Sequence, residues 1–190
     1  MTLDVTNIAR KIEIATGIVR KLEKVWKASD ISSETKVYVY HTLVQSILLY
    51  NAETWTLRED NKRTVRVFEM SVLRRILRIT RRARLRNIDI RNELHLEQDI
   101  VDVIQTRRLT YFGHVVRMNP SRYPNVMLYG HTHGTRPVGR SKKQWLDNVR
   151  EDCSQMGLSL PDADKLARDR CSWRSLLSRR NCRVGAASAR

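Results

Sequence analysis

Acidic side chains are scarce in this chain. Asp and Glu number 20 against 36 Lys and Arg, giving a formal net charge of +16 over 190 residues. A field this one-sided attracts polyanions over about a Debye length, roughly 8 Å at physiological salt. Long hydrophobic runs are missing too: the longest candidate, residues 46–52, falls far short of the roughly 20 needed to span a bilayer. The opening residues MTLDVTNIARK lack the apolar core of a secretory signal. Together these absences predict a soluble, intracellular protein that is not secreted.

Cysteine is sparse and odd in number. Cys153, Cys171 and Cys182 are too widely spaced to suggest a disulfide framework. His131 and His133 precede them in a Gly-rich stretch, but no Cys-x-x-Cys pair exists to complete a zinc knuckle, so no metal or other cofactor is expected. Catalytic signatures are lacking as well. The chain has no Asp-Asp pair for a two-metal polymerase site, no Walker loop, no Gly-x-Ser-x-Gly and no His-Glu-x-x-His. Glu53 can be grouped with Asp89, Asp99 or Asp102 as a nuclease cluster only by assumption, because scattered acids on helices are usually partners for arginine. A chain without catalytic residues of its own is the reading that remains.

With 41% hydrophobic and 29% charged residues the composition is globular, and disorder is expected only at the ends. The hydrophobic period is helical nearly throughout, so the expected fold class is all-α: a helical bundle over 1–118, a Gly/Pro/Arg-rich loop or linker over 119–140, a small helical subdomain over 141–178 and a disordered basic tail over 179–190. Ile8, Ile12, Ala15, Val19, Leu22 and Trp26 form one seam of a first helix. Ser32 or Ser33 is placed to cap a second, carrying Val37, Tyr40, Val44 and Ile47 on one face with Leu43, Leu48 and Leu49 widening the stripe. A third begins near Asp60 and carries Val65, Phe68, Val72, Ile76 and Ile79 inward. Asn87 looks like the cap of a short helix through Leu94, and a fifth helix runs from about Glu97 to Met118.

That fifth helix has Arg107 and Arg108 where its seam calls for apolar side chains. The preferred reading lays their methylene stems along the core with the heads in water, ahead of a role in a nucleic-acid groove. Ser141 is expected to cap the next helix, which Gly157 ends, and a last helical stretch is expected from about Pro161 to Leu177.

Arginine outnumbers lysine 27 to 9, and the stretch from Leu73 to Arg86 is half arginine: Arg74, Arg75, Arg78, Arg81, Arg82, Arg84 and Arg86. A guanidinium presents a planar fork that grips phosphate oxygens in two places and keeps its charge, so this cluster points to a nucleic-acid backbone. A second candidate contact is the stretch 134–143. There glycines allow close backbone approach, Pro137 limits flexibility, and Arg136, Arg140, Lys142 and Lys143 supply charge. A third is the pair His114 and Arg117 beside Gly113. A satisfied structural histidine is the commoner role for such a group, and phosphate binding is the alternative. Tyr50 and Trp55 are expected to close the core, with Glu53 paired to an arginine or a helix N-terminus.

Four motifs follow in order: Tyr50-Asn-Ala-Glu-Thr-Trp55; Phe68-Glu-Met70 with Leu73-Arg-Arg-Ile-Leu77; the run from Arg107 to Met118 containing Tyr111-Phe-Gly-His114; and Gly134 to Arg140 with Trp145-Leu-Asp147. In this order they resemble the region that follows the polymerase domain of non-long-terminal-repeat retrotransposon endonuclease-reverse transcriptases, over about residues 7 to 177. The resemblance implies a thumb, a helical bundle gripping template and primer, followed by a C-terminal segment. It implies RNA, DNA or an RNA-DNA hybrid as partner, with the polymerase palm as a further one, and together with the basic runs a nuclear or cytoplasmic location. The family's polymerase aspartates and endonuclease lie upstream, so the chain is expected to be a fragment without chemistry of its own. The competing class is a basic helical interaction module that docks on an acidic protein partner or on the missing palm.

Overall fold

The structure, a computed structural model, describes residues 3–130 and 142–188, with side chains over 7–130 and 142–180. The described residues form an all-α fold, and no strand occurs among them. The elements are α1 (Leu3–Lys21), α2 (Glu23–Lys27), α3 (Ser33–Val39), a π-helical turn Tyr40–Gln45, α4 (Ser46–Leu48), α5 (Glu59–Ile76), α6 (Asn87–Glu93), α7 (Ile100–Val116), α8 (Tyr123–Tyr129), α9 (Trp145–Gln155), α10 (Leu160–Arg168) and α11 (Arg170–Ser188), with short 3-10 turns at Ala52–Thr54 and Arg81–Ala83.

The first seam is seen as expected: Ile8, Ala15, Val19 and Trp26 are buried, and Ile12 and Leu22 pack beside them. The chain bends at Leu22, and the Trp26 indole donates to the Val19 carbonyl at 2.9 Å, tying α2 back onto α1. Ser32 is the cap of α3, its Oγ accepting from the Thr35 amide at 3.2 Å. The π-helical turn then adds a residue to the repeat and shifts the buried stripe to Tyr40, Val44, Leu48 and Leu49, leaving Leu43 exposed.

Two cores lie along the molecule. The first gathers residues from Ile8 to Ile104; the second is built by Leu109, Phe112 and Val116 of α7 with Val149, Cys153, Ala163, Ala167, Trp173 and Leu177. Helix α7 therefore serves both, and the core changes within it rather than after Met118. Its start is well defined, because the Asp99 carboxylate accepts from the Val101 and Asp102 amides while Asp102 accepts from the Asp99 amide.

Three expectations are corrected at the C-terminal side. The stretch 119–140 is not wholly a loop: α8 lies inside it, entered through Pro124 in its first turn and fixed by the buried Asn125, whose amide donates to the Val115 carbonyl at 3.0 Å. Ser141 itself lies outside the described residues, but α9 starts only at Trp145. Residues 142–144 are non-helical, and Gln144 flanks the helix with its amide donating to Asp147 at 2.8 Å. Nor is the tail irregular from residue 179, since α11 continues to Ser188. Arg180 explains part of this: it is buried and donates to Thr106 at 2.7 Å and Gln105 at 2.5 Å on α7.

Arg108 corrects the reading of the interrupted seam. Its guanidinium does not reach water: it is fully buried and meets the equally buried Asp152 of α9, with Nε to Oδ2 at 2.7 Å and Nη2 to the same oxygen at 2.6 Å. Its neighbour Arg107 is exposed and donates to the Leu49 carbonyl at 3.1 Å.

Candidate nucleic-acid interface

The arginine stretch is not one continuous helix. Helix α5 ends at Ile76, and its C-terminus closes with paired hydrogen bonds from the Ile79 amide to the Arg74 carbonyl (2.9 Å) and from the Arg78 amide to the Arg75 carbonyl (3.2 Å). This closure needs a left-handed residue, and Arg78 takes it at φ 56° where glycine is usual. Arg84 is left-handed as well, at φ 51°, at the end of the turn Arg81–Ala83. Ile79 is thus no member of the α5 seam. The arginines project from an irregular turn between α5 and α6.

Their roles divide. Arg74 is a strut, donating to the Asn87 side chain at 2.8 Å. Arg75 pairs with Glu23 at 3.0 Å, and Arg86 holds Asp89 through two hydrogen bonds of 3.0 and 2.9 Å. Arg78, Arg81, Arg82 and Arg84 are exposed and have no ion pair or side-chain hydrogen bond among the described residues. Arg136 and Arg140 lie outside the described residues. Lys142 is exposed, and Lys143 pairs with Glu151 at 2.7 Å.

The acids once grouped with Glu53 are occupied elsewhere. Asp89 is held by Arg86; Asp99 caps α7 and binds Arg66 at 2.7 Å; Asp102 closes the capping box. Burial would raise the Asp99 pKa, but its backbone hydrogen bonds and Arg66 outweigh that and hold the carboxyl below its ordinary value. No group of three or more metal-ligating side chains occurs among the described residues.

The segment 49–57 proves to be the joint of the molecule. The Asn148 side chain accepts from the Leu57 amide at 2.7 Å and donates to the Leu57 carbonyl at 2.9 Å, and the Trp145 indole donates to the Glu53 carbonyl at 2.8 Å. Trp55 is buried as expected. Tyr50 is not: it is 69% exposed, with Lys11 Nζ 4.5 Å above its ring. Glu53 has no carboxylate partner among the described residues and instead lines a cleft.

That cleft, about 790 Å³ in volume, opens between α7 and α11. Arg107, His114 and Arg117 border it from α7, and Arg170 and Arg174 from α11. Gly113 allows the two helices to meet. A Cβ there would sit 2.4 Å from the Trp173 indole nitrogen, which donates to the Leu109 carbonyl at 3.0 Å. His114 and Arg117 are therefore brought together as the spacing suggested, with Arg117 also donating to the Ala167 carbonyl. Reading the sequence alone missed Arg170 and Arg174, and ranked a groove role for Arg107 second to a structural one. The four-residue step from Arg170 to Arg174 was a visible signal of a shared helix face, but nothing local linked it to α7.

Among known proteins, the chain is similar to an uncharacterised protein of Caenorhabditis elegans, 26% identical over 179 aligned residues that cover 85% of this chain and 64% of that protein. That relative is named as transposon-derived. The chain thus spans just under two thirds of its length. The similarity is consistent with an origin in a transposon. No family model matches the chain, and no solved structure matches it.

Proposed function

We propose that the chain is a non-catalytic, nucleic-acid-binding part of a retrotransposon reverse transcriptase, a thumb-like helical bundle that holds the backbone of a template and primer. The observation that carries this reading is the turn between α5 and α6, where Arg78, Arg81, Arg82 and Arg84 stand exposed without a side-chain partner among the described residues. Four unpaired guanidiniums on one short turn repel one another and gain most from a ligand that brings closely spaced negative charges. A sugar-phosphate backbone does so, and gripping it reads no sequence. The transposon-derived relative supports the setting, and the motif order supports the thumb assignment. In this reading Arg136, Arg140 and Lys142 supply further phosphate contacts.

The test is fluorescence anisotropy of labelled single-stranded RNA, duplex DNA and an RNA-DNA hybrid against the purified chain, over a range of salt. The expected result is binding that weakens steeply with salt, with the hybrid preferred. Absence of binding at low salt to all three would reassign the arginines to a protein-docking surface.

A further inference from the structure

We infer that the cleft between α7 and α11 is a binding site for a single nucleotide, separate from the arginine turn. Helix α11 runs antiparallel to α7: Arg180 touches Gln105 and Thr106, Trp173 sits on Leu109 and Gly113, and Arg170 lies on toward Arg117. The cleft therefore has two chemically different ends. Arg117 and Arg170 mark one. Arg107 marks the other, about 15 Å away along α7 at 1.5 Å per residue, and Glu53 enters on the Tyr111 side, its carbonyl receiving the Trp145 indole that packs on Tyr111.

The charges do not cancel. Four arginines and His114 line the cleft against the single carboxylate of Glu53. The side chains of His114, Arg170 and Arg174 have no hydrogen bond or ion pair among the described residues. Asp169 lies near Arg117, but its carboxylate already accepts from the Cys171 and Ser172 amides and the Ser172 hydroxyl. Convergent cations in a walled cleft favour a phosphate far more than the same cations spread over a convex face.

Glu53 turns this from a phosphate hole into a nucleotide site. It repels the phosphate toward Arg117, Arg170 and Arg174, and it offers two acceptor oxygens to the hydroxyls of a sugar or the N–H groups of a base. Tyr111, braced edge-on by Trp145 with ring centroids 6.0 Å apart, supplies aromatic surface between the two ends. The volume is in the range of small-ligand sites. The choice of a nucleotide over another phosphorylated molecule rests on the nucleic-acid reading above.

The experiment is isothermal titration of the full chain at low salt with each of the four ribonucleoside monophosphates and, separately, with inorganic phosphate. At least one nucleotide is expected to bind saturably and about tenfold or more tighter than phosphate. The double variant Arg170→Ala/Arg174→Ala, with an unchanged thermal transition, should weaken nucleotide binding by about tenfold, the scale of one lost charge-assisted hydrogen bond. Glu53→Gln should reduce the preference for nucleotide over phosphate. The variant lacking Arg78, Arg81, Arg82 and Arg84 should bind nucleotide as the wild type does. Nucleotide binding no tighter than phosphate, or undiminished in the Arg170/Arg174 variant, overturns the inference while leaving strand binding to stand. Saturable nucleotide binding with no strand binding would uphold the cleft and remove the thumb reading.

Discussion

Arg108 and Asp152 bring opposite charges to a place water does not reach, with both side chains essentially fully buried. Burial pushes the Asp152 carboxyl above its ordinary pKa, and Arg108 opposes that push. Such a pair adds little over two well-packed apolar residues, but removing one partner strands the other charge. Asp152→Ala is expected to destabilise the protein by about 3–5 kcal/mol. The double replacement Arg108→Met/Asp152→Leu should recover most of that loss in chemical denaturation, and a double variant no more stable than the single would contradict the assignment. Glu69 is a second buried carboxylate: it pairs with Arg91 at 2.6 Å, yet burial raises its pKa to about 7 against the pull of Arg91. Between the unfolded value near 4.5 and about 7, the folded state keeps a proton that the unfolded state has released. Stability should therefore fall as pH rises through that window and level off above it. Glu69→Gln should flatten the fall, and parallel wild-type and variant curves of stability against pH would rule Glu69 out as its source.

At the scale of elements, two closures decide where the basic groups sit. The left-handed Arg78 ends α5 and turns the chain so that Arg81, Arg82 and Arg84 leave the helix axis. Arg78→Gly relieves the left-handed backbone and should stabilise the fold by about 1 kcal/mol. The same change should lower the salt slope of strand binding by about one phosphate contact, so stability and affinity move in opposite directions. Equal or lower thermal stability in this variant would argue against the closure. The second is Gly113 against Trp173. Gly113→Ala forces the indole off α7 and should cost about 1–3 kcal/mol by overpacking. Because Arg170 and Arg174 flank Trp173 on α11, the variant should also lose nucleotide binding in the cleft.

Over the whole molecule, what could be read in advance depended on distance along the chain. The seam from Ile8 to Trp26, the Ser32 cap and the Gly157 helix end are written in residues a few places apart, and the structure has them. The end of α5 was hidden because an arginine occupies a position where glycine is the usual marker. Leu48 and Leu49 were legible as part of the buried stripe, but the exposure of Leu43 was hidden because a π-helical turn leaves no compositional trace. Arg108, Arg180 and the cleft were beyond local reading altogether, since their partners lie 44, 75 and about 60 residues away. Three of the four motifs meet in space: the Glu53 carbonyl receives Trp145, the Leu49 carbonyl receives Arg107, and Tyr111 packs on Trp145. Their ordered recurrence along the sequence thus corresponds to one joint between the two cores.

The arginine turn is the centre of the account, and the salt dependence of strand binding tests it most directly. Affinity for a labelled hybrid should be measured across salt for the wild type and for a variant with Arg78, Arg81, Arg82 and Arg84 all changed to alanine. The wild-type slope should be about 0.7 to 0.9 log units for each phosphate contacted, and the variant's slope should be smaller by up to about four contacts, with its thermal transition retained. An unchanged slope in a folded variant would mean that the turn does not touch the backbone.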